Sequence, residues 1–437
     1  MRITEFFVIS TLIGLLLLPS TLLGQSSNDL ARSGSFYSGF GFGAPHDVNS
    51  TATNGMGLSG VSTFATFSSS ISNPAHWGFL SLTQGNVSVY SNRFDASDNF
   101  SSAKSTKIGF DNFQFAVPIL RERFGASFSI SPLARADFNR SSFGIIERGE
   151  LLLPSEFQTS TTGTGGINRF ELGFGYRINR NISVGYAASI YLMSNNLSSL
   201  TQFDNVQLSP TTIDEKITGN GFGNRFGLYF DVPEFLRSND QFRAGLTVSL
   251  PVSMTADREI TTFRTIGNLS ERIVLNEGAP NRKADVDFPL EINGGVTYYL
   301  NRFNSFSAEG LYQNWDEAAY GFDLVQESYF NDRFKVGVGY QHHAYLKQSG
   351  GFFSTFRYSL GATYDSGHLN IAGNEIDTAM LHAGILIPSQ RTRSSIDLSI
   401  NYGVRGTQSS DLVKENVWGF KLSINLAEFM FIRSRFQ

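Results

Sequence analysis

The chain has 437 residues, no cysteine, and 34 Lys+Arg against 38 Asp+Glu, for a formal net charge of −4. That rules out disulfides, thiolate nucleophiles and Cys-ligated metals, and it argues against nucleic acid, whose phosphates demand a surplus of cations. With 43 Gly, 40 Phe and only 16% charged residues, yet a mean hydropathy of −0.12, the composition is too polar for a helical membrane bundle and fits a transmembrane β-barrel.

Residues 1–24 read as a secretory signal. Arg2 opens it, 6–18 form an apolar stretch, and 19–24 precede a plausible cut at Gln25. Beyond Gln25 no run of 18 apolar residues occurs, so any membrane crossing is by strands. Residues 25–83 are rich in Gly, Ser and Thr, and after Arg32 they carry one formal charge, Asp47. Phe64, Phe67, Trp77 and Phe79 mark this stretch as packed rather than a tail. It is expected to be a plug inside the lumen of a barrel formed by 84–437.

Period-two patterning then predicts fourteen strands: near 84–95, 103–118, 123–137, 166–178, 181–196, 217–232, 241–256, 285–300, 304–316, 331–344, 354–365, 378–388, 394–406 and 414–427. In the last, Trp418, Phe420, Leu422, Ile424 and Leu426 share one face, and Val417, Gly419, Lys421, Ser423 and Asn425 the other. Phe170, Leu172, Phe174, Tyr176 and Ile178 likewise oppose Glu171, Gly173, Gly175 and Arg177. Runs of about ten residues suit a tilted membrane strand better than a soluble one of ~5–6. Tight connections are expected at 120–123, 179–181, 301–303 and 388–393, with a longer one at 233–241. Long polar loops are expected at 138–165, 197–216, 257–284, 317–330 and 366–377. Short turns at one end and long loops at the other are the asymmetry of outer-membrane barrels. The fold class is therefore all-β, an antiparallel transmembrane barrel with an N-terminal plug.

Asn54-Gly-Met-Gly-Leu-Ser-Gly60 followed by Ser72-Asn-Pro-Ala75 resembles the plug segment of the FadL family of long-chain fatty acid transporters. Asp287-Phe-Pro-Leu290, then Ala308-Glu-Gly-Leu-Tyr-Gln-Asn-Trp315, resembles that family's Leu-Pro strand and its Trp-ending strand. Arg333-Phe-Lys-Val-Gly-Val-Gly-Tyr340 and Phe356-Arg-Tyr-Ser-Leu-Gly-Ala-Thr-Tyr364 resemble its late Gly-aromatic strands. The ordered set spans about 54–427. The departure is His76-Trp77-Gly78, where the family usually continues with Gly-Leu. The resemblance implies a plugged fourteen-stranded barrel through which hydrophobic molecules diffuse.

Gly55, Gly57 and Gly60 spell GxGxxG, but no strand–helix context supports a dinucleotide site. His46, His76, His342, His343, His368 and His382 show no metal-ligand spacing, and His342 and His343 point to opposite faces of a strand. No Ser/His/acid constellation stands out, so an enzyme is not expected, nor a cofactor or a metal. Asn73, Pro74, Ala75, His76 and Trp77 are the candidate plug motif, with Pro74 fixing a turn where the plug meets the wall. In the predicted loop 138–165, Ile145, Ile146, Leu151, Leu152, Leu153 and Phe157 are a candidate apolar capture site.

The expected function is passive uptake of long-chain fatty acids or other small hydrophobic molecules across a Gram-negative outer membrane. Apolar loops would desolvate the ligand, a Phe-rich lumen or groove would hold it, and a plug shift or lateral gap would release it. The expected partners are that ligand and outer-membrane lipid, around a monomer, with no nucleic acid. The alternative is a barrel that docks exported proteins without flux, as the FadL-like shuttle proteins of type IX secretion do.

Overall fold

The computed structural model describes residues 33–65, 70–146, 155–204, 208–266, 269–274, 282–322, 330–347, 351–389 and 393–428. The signal at 1–24, Phe67 and Leu151–Leu153 lie outside them. Fourteen antiparallel wall strands follow one another round a closed ring. They are β1 (Thr83–Ser97), β2 (Ser102–Leu120), β3 (Phe124–Arg135), β4 (Ser155–Arg177), β5 (Ile182–Phe203), β6 (Thr211–Pro233) and β7 (Gln241–Ser249). The second half is β8 (Glu291–Asn301), β9 (Asn304–Gln313), β10 (Arg333–His343), β11 (Arg357–Asp365), β12 (Thr378–Pro388), β13 (Ser395–Arg405) and β14 (Lys414–Glu428). β14 closes on β1 along a full ladder from Thr83↔Glu428 to Ser97↔Lys414. No described helix is long and apolar enough to cross a membrane.

The alternation places each residue. On β5, Val184, Tyr186, Ile190 and Leu192 face out and are exposed, while Ser183, Ala187, Ser189 and Asn195 face in and are buried. On β14, Trp418, Phe420 and Leu426 face out and Ser423 and Asn425 face in. The same holds for Phe110, Phe174, Phe222, Phe306 and Phe334, all exposed on the outer face. The expected Phe-rich lumen is therefore corrected in part: these phenylalanines coat the outside and many inward positions are small or polar, while Phe42, Phe322 and Phe330 pack with Trp315 in a buried inner cluster. An apolar belt is what a bilayer-facing wall requires.

Three predicted loops are corrected as well. Stretches 138–165, 197–216 and 257–284 are largely strand. β3 continues as Phe138–Ile146, β7 as Val252–Ile266, and β8 is preceded by Lys283–Phe288. β4, β5 and β6 run for 23, 22 and 23 residues, about twice the ~9–11 that a tilted membrane strand needs. Their upper halves lack an apolar face but are rich in β-branched Thr, which favours strands on a ladder of any polarity. Thr159 and Thr201 hydroxyls meet at 2.9 Å across β4 and β5, and Thr161 and Ser199 at 3.1 Å.

Candidate functional site

Residues 74–79 contact β2–β6 and residues 54–56 contact β10–β13 on their buried faces. At the short-turn end Asn73 caps a 3-10 helix, Pro74–Phe79. Its side-chain oxygen accepts from the Ala75 N–H at 2.9 Å, and its amide donates to the carbonyls of Val61 at 2.9 Å and Leu228 at 3.1 Å. Pro74 occupies the first turn, where its missing N–H costs nothing. The Ser183 hydroxyl donates to the Ala75 carbonyl at 2.7 Å. The wall leaves no spare room here. A Cβ at Gly185 would lie 2.2 Å from the Pro74 carbonyl carbon, and one at Gly227 would lie 2.3 Å from the Asn73 side-chain oxygen.

His76 and Trp77 are fully buried. The Trp77 indole donates to the Ser70 carbonyl at 2.9 Å, and His76 Nδ1 bonds the Ser70 hydroxyl. Burial, then the nearby Arg243 charge, holds the His76 pKa down at about 3. The candidate motif Asn73–Trp77 is thus brought together and seated on the wall. The FadL-type Gly-Leu is replaced by residues that bond back to Ser70.

Charged side chains that the sequence reading did not single out fasten the rest. Arg225 on β6 donates to the carbonyls of Ser72 and Ile71, both at 2.7 Å, while paired with buried Glu171 on β4. Both oxygens of Glu309 on β9 accept from the Gly60 N–H at 3.0 Å. Asp47 meets Arg333 and Lys335 of β10, each at 2.7 Å. Burial alone would raise the Asp47 carboxyl, but those two cations outweigh it and hold it well below the usual range. Near the other end Glu415 on β14 accepts from the Ser35 hydroxyl at 2.6 Å and the Phe36 N–H at 2.7 Å. The available signal was a lone charge at an inward position, such as Glu171 or Lys421 among glycines and serines.

A seam opens in the wall between β2 and β3. Their ladder runs from Leu120↔Phe124 only as far as Phe113↔Ile130. Above it the described part of β2 pairs with β1 alone, and β3 with β4. Two residues break the pattern: Pro132 has no N–H to offer, and Asp111 is the extra residue of a bulge opposite Ser88 and Val89. The inner segment fills the seam. Ala44 and Pro45 pair with Arg135 and Ala134, and the His46 N–H donates to the Leu133 carbonyl at 2.9 Å. His46 Nε2 and Lys421 Nζ reach Asp111 at 2.9 and 3.0 Å. Arg135 donates to the Phe110 carbonyl at 3.0 Å across the opening, and Lys107 meets Asp137 at 2.8 Å. Ile108 and Phe110 on its rim face outward. Behind this strap lies a cavity of about 220 Å³, lined by Asp47, Lys107, Arg333 and Lys421 among others.

Of the candidate capture residues, Ile145, Ile146 and Phe157 lie on paired strands rather than in a loop. Ile145 is exposed, Ile146 and Phe157 are half-buried, and Phe157 sits 6.3 Å from the Phe203 ring. Phe143, beside them and 78% exposed, was not foreseen. No group of metal-binding side chains occurs among the described residues.

The sequence from 10 to 437 matches the family model for BamG. The chain belongs to the BamG family. The FadL resemblance read from its motifs is therefore a likeness of fold within a BamG-family chain. Among solved structures, it is similar to a Pseudomonas aeruginosa FadL homologue (14% identity, 90% of this chain and 100% of that one, TM-score 0.56). It is also similar to the CymD monoaromatic hydrocarbon channel (13%, 88% and 99%, 0.54) and the Ralstonia pickettii toluene transporter TbuX (15%, 90% and 100%, 0.52). At these identities the likeness establishes the FadL-like barrel. No curated protein matches this BamG-family sequence.

Proposed function

We propose that this BamG-family barrel is a monomeric, non-enzymatic channel of the Gram-negative outer membrane that passes small hydrophobic molecules passively. The observation that carries the reading is the seam between β2 and β3, strapped from within by residues 44–46. A polar lumen is a poor path for an apolar solute, whose transfer there forfeits about 25 cal/mol per Å² of buried apolar surface. A side exit past Ile108 and Phe110 would deliver it to the bilayer instead. Residues 25–83 act as the plug, and Ile145, Ile146, Leu151, Leu152, Leu153 and Phe157, with Phe143 beside them in sequence, receive the solute outside. Support comes also from the fold, shared with a monoaromatic hydrocarbon channel and a toluene transporter. Long-chain fatty acids and monoaromatic hydrocarbons are both candidate cargo.

The test is uptake of labelled oleate and labelled toluene by a transport-deficient Gram-negative host at matched surface expression. Uptake above the empty vector for either compound, changed by Pro74→Gly, supports the channel. A correctly inserted barrel that carries neither favours the second reading.

That second reading is a docking barrel for exported proteins. One observation favours it: β4–β6, at 22–23 residues each, stand well beyond the height a bilayer needs. It predicts a co-purifying protein partner, lost when 140–158 is replaced by a short turn, and no solute flux.

A further inference from the structure

The short-turn mouth of the barrel holds a second cavity, about 350 Å³, apart from the seam and its strap. That volume lies at the small end of ligand sites. Four arginines line it: Arg177, Arg243, Arg302 and Arg357. Against them stand Glu122 and Asp231 in the lining, and Asp397 just behind Arg357. Phe64, Phe79, Tyr299 and Tyr345 complete an aromatic wall.

Two of these guanidiniums are incompletely used. Arg243 donates from Nη1 to the Phe64 carbonyl at 2.8 Å and the Tyr299 hydroxyl at 3.0 Å, and lies 3.6 Å from Asp231. Its buried Nε is the atom that faces Asp231 across that 3.6 Å and makes no closer bond among the described residues. Arg357 has a side chain 4% exposed, and its closest oxygens, on Thr51 and Asp397, are both 3.5 Å away. Its Nε is likewise buried and unpartnered. Leaving a buried charged donor unsatisfied costs more than an ordinary lost bond. Two such donors around one cavity, in an excess of guanidinium over carboxylate, mark a place for an oxyanion, which Arg recognises through paired N–H groups. The aromatic wall gives the site a second requirement, an apolar body attached to that anion.

We propose that this mouth binds the anionic head of a small amphiphile, a carboxylate or a phosphate monoester on a short alkyl or aryl body. Arg243 and Arg357 donate to the head, and Phe64, Phe79 and Tyr299 hold the body. The site stands whether or not solute crosses the barrel, so uptake and binding fail independently.

The test uses the full mature chain in zwitterionic nanodiscs, with empty discs as the blank. Calorimetric titrations compare decanoate, decyl phosphate, decanol and inorganic phosphate. One of the two anionic amphiphiles is expected to bind at least about tenfold tighter than decanol, the worth of one charged hydrogen bond. The tighter of the two names the source, a free fatty acid or a phospholipid fragment. Arg243→Gln and Arg357→Gln should each remove about that tenfold while leaving decanol unchanged. Arg302→Gln keeps the test alive if those variants fail to fold. Arg302 is exposed at the rim, with its guanidinium 4.6 Å over the Phe303 ring, and its loss should weaken the anion alone. Equal binding of decanoate, decyl phosphate and decanol would overturn the proposal. So would inorganic phosphate binding as tightly as the amphiphiles, or arginine variants that bind like the parent.

Discussion

Gly185 and Gly227 stand where any side chain would collide with Pro74 and Asn73. Gly185→Val should therefore unseat the Pro74–Phe79 turn and leave the wall intact, because the β4–β5–β6 ladders do not depend on that residue's lack of a side chain. The expected result is a several-fold rise in influx of large polar antibiotics, with the heat-modifiable gel shift of a folded barrel retained. Loss of the folded band would mean the turn is needed to build the wall. His76 sets a pH dependence. Its folded pKa, about 3, lies below the ordinary ~6.5, so the unfolded or undocked chain binds the extra proton. Docking is then fully stable above about pH 6.5 and weakens as pH falls from there toward 3. Hydrogen exchange of residues 70–80, corrected for intrinsic rates, should accelerate between pH 7 and 4, and His76→Gln should flatten that slope. Asp47, held low by Arg333 and Lys335, keeps its charge when docked, but the undocked carboxyl takes up protons near its ordinary ~3.9, so it steepens the slope only below about pH 5.

At the scale of elements, the seam is the place where pairing stops while strands continue. Arg225 and Glu171 do the opposite work, pinning the inner segment to β6 through the Ile71 and Ser72 carbonyls. Removing one partner of a buried pair strands the other, a cost of about 3–5 kcal/mol. Glu171→Gln should accordingly lower the thermal stability of the inner segment and raise protease access at 70–72, with less effect on the wall. The reverse order, wall first, would contradict a segment held by these contacts. Much of this was legible beforehand. The fourteen strands came from period two, and the Asn73–Trp77 motif fell where a buried turn meets wall glycines. The long Thr-rich extensions of β4–β6 were missed, because hydrophobic alternation ends where the bilayer does while backbone pairing goes on. Wall phenylalanines such as Phe174, Phe222 and Phe306 face outward, so the number of Phe did not describe the lumen.

For the whole molecule, a closed ring with ion pairs and one aromatic cluster inside and an apolar exterior separates two tasks. The ion-paired interior keeps the inner segment in place, and the exit proposed at the seam would avoid that interior. Asp111, Pro132 and Ala44 came together only through long-range pairing, so no local pattern announced the seam. The mouth arginines lie on four different elements and were equally invisible one at a time.

The most direct measurement locks the strap to the wall. The chain has no cysteine, and Ala44 and Arg135 are antiparallel partners. Such partners lie about 4.5–5.5 Å apart at Cα, within disulfide range. Uptake of labelled hydrophobic cargo is followed in the Ala44→Cys, Arg135→Cys double variant, oxidised and then reduced, in one population of cells. The account predicts uptake at the empty-vector level when oxidised and its recovery on reduction. Equal uptake in both states would mean that cargo does not leave through the seam.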